Sequence, residues 1–302
     1  MSDIISENIF SPLRISHPRT CQKSEKFLHV HDNAFECMLF ISGTVEYFIE
    51  NSIYSLKPGD MTLIPPGVIH GFMVGSDLAY ERIPVHIHQH LIQSLSTDET
   101  DLTSAFYQAG GSRQVIHLSS KQYEQFINYA DTLIQLGQQK PYGYDILQQA
   151  NLQLLLMFVT HACMTPSRYT AEEVSPKVIK KAIDYISVHL TENISVQEIA
   201  DELSISCSRL SHLFKEYTGS SVWSYVVARR LLLSRSLLLE GKSVIEACFE
   251  SGFRDYAHFN KVFSKTFKLT PGKYKKMMNE AGREWEDAEG TTASLINLTR
   301  IV

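Results

Sequence analysis

The sequence predicts an α+β protein of two domains: an N-terminal β-barrel with two following helices, then a C-terminal all-α module. Three observations predict it. The 302 residues suit about two domains of ordinary size. Residues 27–90 alternate apolar and polar positions between turn residues, whereas from Ser119 onward the apolar rhythm is helical. Charge divides along the same line: residues 1–175 carry −8, residues 176–285 carry +5 and the last 17 residues carry −2, within a total of −5. An acidic front and a basic back mean that only the C-terminal part approaches a polyanion. With 44% hydrophobic and 20% charged residues, a disordered or collagen-like chain is excluded.

The five cysteines, Cys21, Cys37, Cys163, Cys207 and Cys248, include no C-x2-C pair. That excludes a zinc ribbon and a thioredoxin-like motif, and the odd, scattered set reads as reduced thiols in a cytosol. No basic region followed by an apolar core opens the chain. The longest apolar stretch, Leu152–Val159, falls well short of the ~20 residues that span a bilayer. The expectation is a cytoplasmic protein with no membrane partner.

In the front half, Phe35–Phe40, Val45–Ile49, Ile53–Leu56, Met61–Ile64 and Tyr80–His88 read as short strands. Ser42-Gly43, Glu50-Asn51, Lys57-Pro58-Gly59-Asp60 and Pro65-Pro66-Gly67 supply the turns. Strands at roughly 8–12-residue spacing favour a barrel or sandwich. Tyr123, Phe126, Ile127, Ala130, Leu133 and Ile134 then form one face of an amphipathic helix. A second helix, Asp145–Cys163, is apolar on more than one face, and either its own barrel or a second subunit must cover it. The expected domains are residues 1–165, a linker at 166–176, residues 177–282, and a tail at 283–302 with no functional reading.

Residues 176–280 read as seven helices containing a repeat. Ser195-Val196-Gln197-Glu198 and Ser243-Val244-Ile245-Glu246, 48 residues apart, both fit a capping box. Each opens a short helix ending in a tight turn, at Ser204-Ile205 and at Gly252-Phe253, and a second helix follows each turn. Leu210 to Phe259 and Phe214 to Phe263 are 49 apart, so the second copy has one extra residue at its turn. Each copy is a helix-turn-helix. A long helix, about Ser221 to Glu240 with Arg229, Arg230 and Arg235, joins them. Such a helix can hold both second helices on one face, about one DNA turn (~34 Å) apart.

Ile199-Ala200, Leu210 to Phe214-Lys215, Gly219, Tyr225, Arg230-Leu231, Leu238, Gly252-Phe253, Phe259, Phe263, Thr270-Pro271 and Tyr274 carry a specific resemblance. Through them residues 178–277 resemble the DNA-binding domain of the AraC/XylS family of bacterial transcription regulators. Departures are Cys248 for a usual Ala, Ser264 for a frequent Lys and Lys268 for a frequent Gly. The resemblance implies that Ser208, Ser211 and His212 of the first recognition helix face bases, with Tyr256, Ala257, Asn260 and Lys261 of the second. It leaves Arg209, Lys215, Arg254 and Lys265 for phosphate, which fixes register without reading sequence. Arg230 is expected to pair with an acid of the first repeat rather than with DNA.

His29-x-His31, Glu36 and Gly43, then Gly59, Pro65, Gly67 and His70, have spacings that resemble the two motifs of the cupin β-barrel. Metal-binding cupins use three His and one Glu. Alternate residues on a strand share a face, so His29 and His31 can both point inward while Glu36 and His70 arrive from neighbouring strands. Such a set suits a divalent transition metal. Sensor barrels of the AraC/XylS family frequently keep a His-x-His and a Glu at this spacing without needing a metal, however. The resemblance therefore implies an effector pocket lined by His29, His31, Glu36 and His70 with no cofactor, and the metal-bound set is the alternative. His86, His88 and His90 alternate on one strand and read as solvated or packing groups.

The resulting expectation is a sequence-specific DNA-binding transcription regulator, an activator responding to a small effector, with a carbohydrate as the leading class. It is expected to be a homodimer on double-stranded DNA, with RNA polymerase as partner, and not an enzyme. The competing reading is a metal-dependent cupin enzyme with an accessory DNA-binding domain, which leaves the double repeat unexplained.

Overall fold

The structure, a computed structural model, describes residues 12–20, 28–31, 33–72, 79–108, 114–164 and 172–281. Cys21, residues 166–171 of the expected linker and the tail at 283–302 lie outside the described residues. The front part contains β1 (Leu13–Ile15), β2 (Arg19–Thr20), β3 (Ala34–Ser42), β4 (Val45–Ile49), β5 (Ser52–Leu56), β6 (Asp60–Ile64), β7 (His70–Phe72) and β8 (Tyr80–His88). Then come α1 (Gln89–Leu95), α2 (Ser104–Gln108), β9 (Val115–His117), α3 (Ser120–Gln139), α4 (Tyr144–Met164) and β10 (Glu172–Glu173). One sheet runs β1-β8-β3-β6-β9 with β2 also on β8, and the other runs β10-β5-β4-β7.

The first sheet is buried on both faces, which explains why β3 reads as a nearly continuous apolar run. Phe35, Cys37 and Leu39 of β3 join Ile83, Val85 and Ile87 of β8 in a core with α3 and α4. Met38 and Phe40 point the other way, into a core with Tyr47, Ile64 and Tyr80. The five expected strands are all present. β1, β2, β7, β9 and β10, each two or three residues long, are too short to show a period of two.

α3 begins at a capping box in which Ser119 and Gln122 bond each other's backbone. On α4, Leu152, Leu155, Leu156, Phe158, Val159 and Ala162 are buried, while Ile146, Leu147 and Leu154 are 71%, 51% and 55% exposed. The barrel thus covers one face of that helix and leaves another open.

Among the described residues, seven helices make the rest: α5 (Lys177–Val188), α6 (Val196–Glu202), α7 (Cys207–Thr218), α8 (Val222–Leu239), α9 (Val244–Glu250), α10 (Tyr256–Phe267) and α11 (Pro271–Ala281). Both capping boxes form, Ser195 with Glu198 and Ser243 with Glu246. The two turns are built alike. Ser204 and Gly252 both have positive φ, and the next amides, of Ile205 and Phe253, bond the carbonyls of Ala200 and Cys248. Leu203–Ser206 joins α6 to α7 and the longer Ser251–Asp255 joins α9 to α10, so the extra residue lies in the second turn.

The two parts share a core. Leu28, Val30, Phe48, Ile53 and Ile69 of the sheet-rich part are buried with Ile179, Ile183, Tyr225 and Val226 of the helical part. Glu172–Glu173, expected in the linker, pairs with β5 instead, and the Val174 amide bonds the Ile53 carbonyl at 2.8 Å.

Candidate functional site

Two sites emerge, one on each part. α7 and α10 each start at a capped end, Ser206 bonding the Arg209 amide and Asp255 bonding the amides of Ala257 and His258. Leu210 and Phe214 hold α7 in the core, and Phe259, Val262, Phe263 and Phe267 hold α10. Burial on these faces turns Ser208, Arg209, Ser211, His212 and Lys215 outward on α7, and Tyr256, Ala257, Lys261 and Lys265 outward on α10. Asn260 is half-buried and its side-chain oxygen accepts a bond from the Ser264 hydroxyl at 3.3 Å. His212 lies 3.7 Å from Glu216. Arg254 is exposed, with Nη2 donating to the Thr191 carbonyl at 3.3 Å.

Arg230 is held differently from the expectation. It is buried, and it donates from Nε to the Leu190 carbonyl at 2.9 Å and from Nη2 to the Glu192 carbonyl at 2.7 Å. Its partners are two main-chain oxygens beyond the end of α5, not a carboxylate. Those carbonyls lie in a turn where helical bonding stops and another donor is needed. Arg235 is also buried, donating to the Tyr274 hydroxyl and, across to the sheet-rich part, to the Asn33 side chain.

In the barrel, the ligand-capable atoms of His29, His31, Glu36 and His70 all lie within 4.8 Å of one another. Pairing positions them: His29 bridges His70, and their main chains exchange two bonds. The His31 carbonyl accepts from Gly67, and β3 carries Glu36 opposite Ile64 and His86. Glu36 is the hub. Its Oε2 is 2.9 Å from His31 Nε2, 3.2 Å from His70 Nε2 and 3.0 Å from His86 Nε2, while Tyr47 donates to Oε1 at 3.3 Å.

His86 therefore belongs to this cluster, unlike the solvated or packing role expected with His88 and His90. The signal was in the register, because His86 pairs with Glu36 across β8 and β3 and shares its face. No spacing motif contains it.

Electrostatics follow from burial. Desolvation lowers His31 from 6.5 to about 4 despite its bond to Glu36, and holds His29 well below the usual imidazole range. Burial alone would raise Glu36, but neighbouring His70 and His86 and the bonds from His31 and His70 outweigh it and keep the group a carboxylate. Tyr47 is raised by burial and by Glu36 beside it. The barrel thus presents one carboxylate, a phenol and a group of imidazoles, of which burial favours the neutral form at His29 and His31, a set able to bind polar groups or a cation.

Residues 18–156 match the family described as AraC-like ligand binding domain, and residues 199–277 match a helix-turn-helix domain. Among curated relatives, the chain is 32% identical over 103 residues to the regulatory protein PocR of Salmonella typhimurium, a match spanning 34% of each chain. It is 26% identical over 257 residues to the uncharacterized HTH-type transcriptional regulator YdeC of Bacillus subtilis, spanning 83% of this chain and 86% of that one. It is 25% identical over 224 residues to the arabinose operon regulatory protein of Salmonella typhimurium, spanning 72% of this chain and 75% of that one. No helix among the described residues is long and apolar enough to cross a membrane.

Proposed function

We propose, on the premise that this chain belongs to the AraC/XylS family of transcription regulators, with an AraC-like ligand-binding domain before a helix-turn-helix domain, that it is a cytoplasmic activator answering to a small effector in its barrel. The observation that carries the DNA reading is the pair of like-built motifs in the basic half, each presenting the polar residues of its second helix to solvent. In this reading Ser208, Ser211 and His212 face one major groove, and Tyr256, Ala257, Asn260 and Lys261 the next. Arg209, Lys215, Arg254 and Lys265 take phosphates. A relative named for an arabinose operon supports a carbohydrate as effector. The chain acts through binding rather than catalysis, as a dimer with RNA polymerase as its further partner.

Mobility shifts with the full chain test the reading. Affinity for duplex DNA should fall steeply with salt as counterions are released. Lys261→Ala should weaken a selected site by about 1–3 kcal/mol and random duplex much less. Equal losses on both would make Lys261 a phosphate contact, and no binding at low salt would remove the DNA function. Small sugars that raise the melting temperature identify the effector class, because a ligand of the native state must stabilise it.

A further inference from the structure

Glu36, Met38 and Phe40 of β3 lie opposite His86, Pro84 and Arg82 of β8, and Thr62 of β6 lies opposite Met38. Alternate residues of a strand share a face, so Thr62, Arg82 and His86 look the same way as Met38 and Phe40. That face is the barrel interior, where Met38 and Phe40 pack with Tyr47, Ile64 and Tyr80. Thr62 Oγ1 and His86 Nδ1 are buried there without a hydrogen-bond partner among the described residues. The Tyr47 hydroxyl nearby gives its one hydrogen to Glu36. A folded interior pairs such atoms, either with the chain or with something bound.

Arg82, half-buried, forms a second pole on the same face. Its guanidinium carbon lies 4.9 Å from the centre of the Phe72 ring and 5.0 Å from that of Tyr80. Stacking engages the flat faces of the group, whereas its N–H donors lie in the plane. From Arg82 the contacts run inward: the Phe72 and Tyr47 ring centres are 4.7 Å apart, and the Tyr47 hydroxyl is 3.3 Å from Glu36 Oε1. Arg82 and His86 are four residues apart on β8, ~13 Å along the strand. A cation and a carboxylate thus stand at opposite ends of a wall of aromatic and small polar side chains.

From this we infer that the effector is a small polyhydroxy acid, an acidic sugar, whose carboxylate takes Arg82 and whose hydroxyls take Thr62 and His86. This rests on the barrel being the effector site, and adds to that reading the charge of the molecule. A guanidinium offers paired donors to both oxygens of a carboxylate. Glu36 forbids the opposite orientation, since it is itself ionised and repels a second carboxylate. Its oxygens are already within hydrogen-bond distance of three imidazoles and the Tyr47 hydroxyl, so ligand hydroxyls turn to the atoms beside it. A hydroxyl both donates and accepts. It completes Thr62 Oγ1, and it completes His86 Nδ1 whichever way that imidazole is protonated. A neutral sugar uses the inner pole alone, and a fatty acid uses Arg82 alone.

The full-length protein is heated with millimolar glucuronate or galacturonate and, in parallel, with glucose or galactose, which carry an alcohol in place of the carboxylate. Sodium chloride controls for ionic strength. At least one acid should raise the melting temperature more than its neutral partner does, because a ligand of the native state stabilises it. In calorimetric titration Arg82→Gln should lower the affinity for that acid about 10–100-fold, the worth of a charged hydrogen bond. Thr62→Val should lower it about 2–10-fold, the worth of a neutral one. Circular dichroism reports whether each variant folds, and the comparison of acid with neutral sugar needs no variant. Failure of both acids to bind overturns the inference, and so does undiminished binding by a folded Arg82→Gln variant. Stabilisation by the neutral sugars alone also overturns it, while leaving the barrel as the effector site. Mobility shifts without any sugar judge the DNA reading separately.

Discussion

Gly252 and Arg230 hold one another's surroundings in place. A methyl group at Gly252, where φ is +94°, would come within 2.6 Å of the Leu190 carbonyl oxygen and 2.9 Å of Arg230 Nε. Both are parts of the contact that ties the second motif to the turn after α5. Gly252→Ala should therefore destabilise the protein by more than about 1 kcal/mol, because strain adds to the clash. Arg230→Ala removes the donor from two carbonyls and should cost about 1.5–3 kcal/mol for each charged bond lost at most. Urea unfolding followed by circular dichroism checks both, and wild-type midpoints would show that the turn carries no such load. At this scale the sequence was partly legible. The resemblance singled out Gly252 and Arg230, and the spacing of His29, His31, Glu36 and His70 placed them in one cluster. It could not reveal that Arg230 serves main-chain oxygens, since a carbonyl has no letter in a sequence. Nor could it find His86, whose place follows from cross-strand register alone.

At the scale of elements, length decided what could be read. The long helices and the five- to nine-residue strands repeat their period often enough to be seen, and both capping boxes are local patterns. β10 is the instructive miss. Its two glutamates look like solvated linker, yet they close the edge of β5. Glu173 accepts from Lys180 Nζ at 2.7 Å and from the Ser52 hydroxyl at 3.1 Å, so the strap ties α5 to the barrel. Burial pushes Glu173 up, but Lys180 and these hydrogen bonds outweigh it and set the carboxyl below 4.5. A carboxyl lowered in the folded state adds stability that is fully present above its ordinary value and lost as pH falls through the lowered one. The acid limb of a stability curve below pH 4.5 should therefore be shallower for Glu173→Gln than for wild type. Parallel limbs would mean that the strap is already loose.

On the scale of the whole molecule, the barrel and the helical part are joined by a core, a strap and polar contacts on two helices. Tyr225 of α8 donates to the Glu50 carbonyl at 3.2 Å, Asn51 to Asp184 of α5 at 2.7 Å, and Arg235 of α8 to Asn33. A ligand in the barrel shifts this arrangement only if it binds one arrangement more tightly than another. The open face of α4 is where the proposed dimer would form. Leu147, Ala150, Leu154, Met157, His161 and Met164 recur at three- and four-residue steps, so they share one side of the helix. All but the half-buried Met157 are exposed, and the buried face of the same helix is already spent on the barrel. A second copy pairing along this stripe would bury Leu147 and Leu154 and give two-fold symmetry, with two double motifs for paired half-sites. The second half-site is then bound at high effective concentration. The double variant Leu147→Glu, Leu154→Glu should leave the barrel fold intact, because neither side chain contributes to its core. It should convert the protein from dimer to monomer in sedimentation velocity at micromolar concentration. Binding to a single half-site should be unchanged while binding to a paired site falls at least about tenfold, the lower part of the gain that linkage gives. A wild-type protein that sediments as a monomer both free and on paired sites would sink this arrangement and confine signalling to the contacts within one chain.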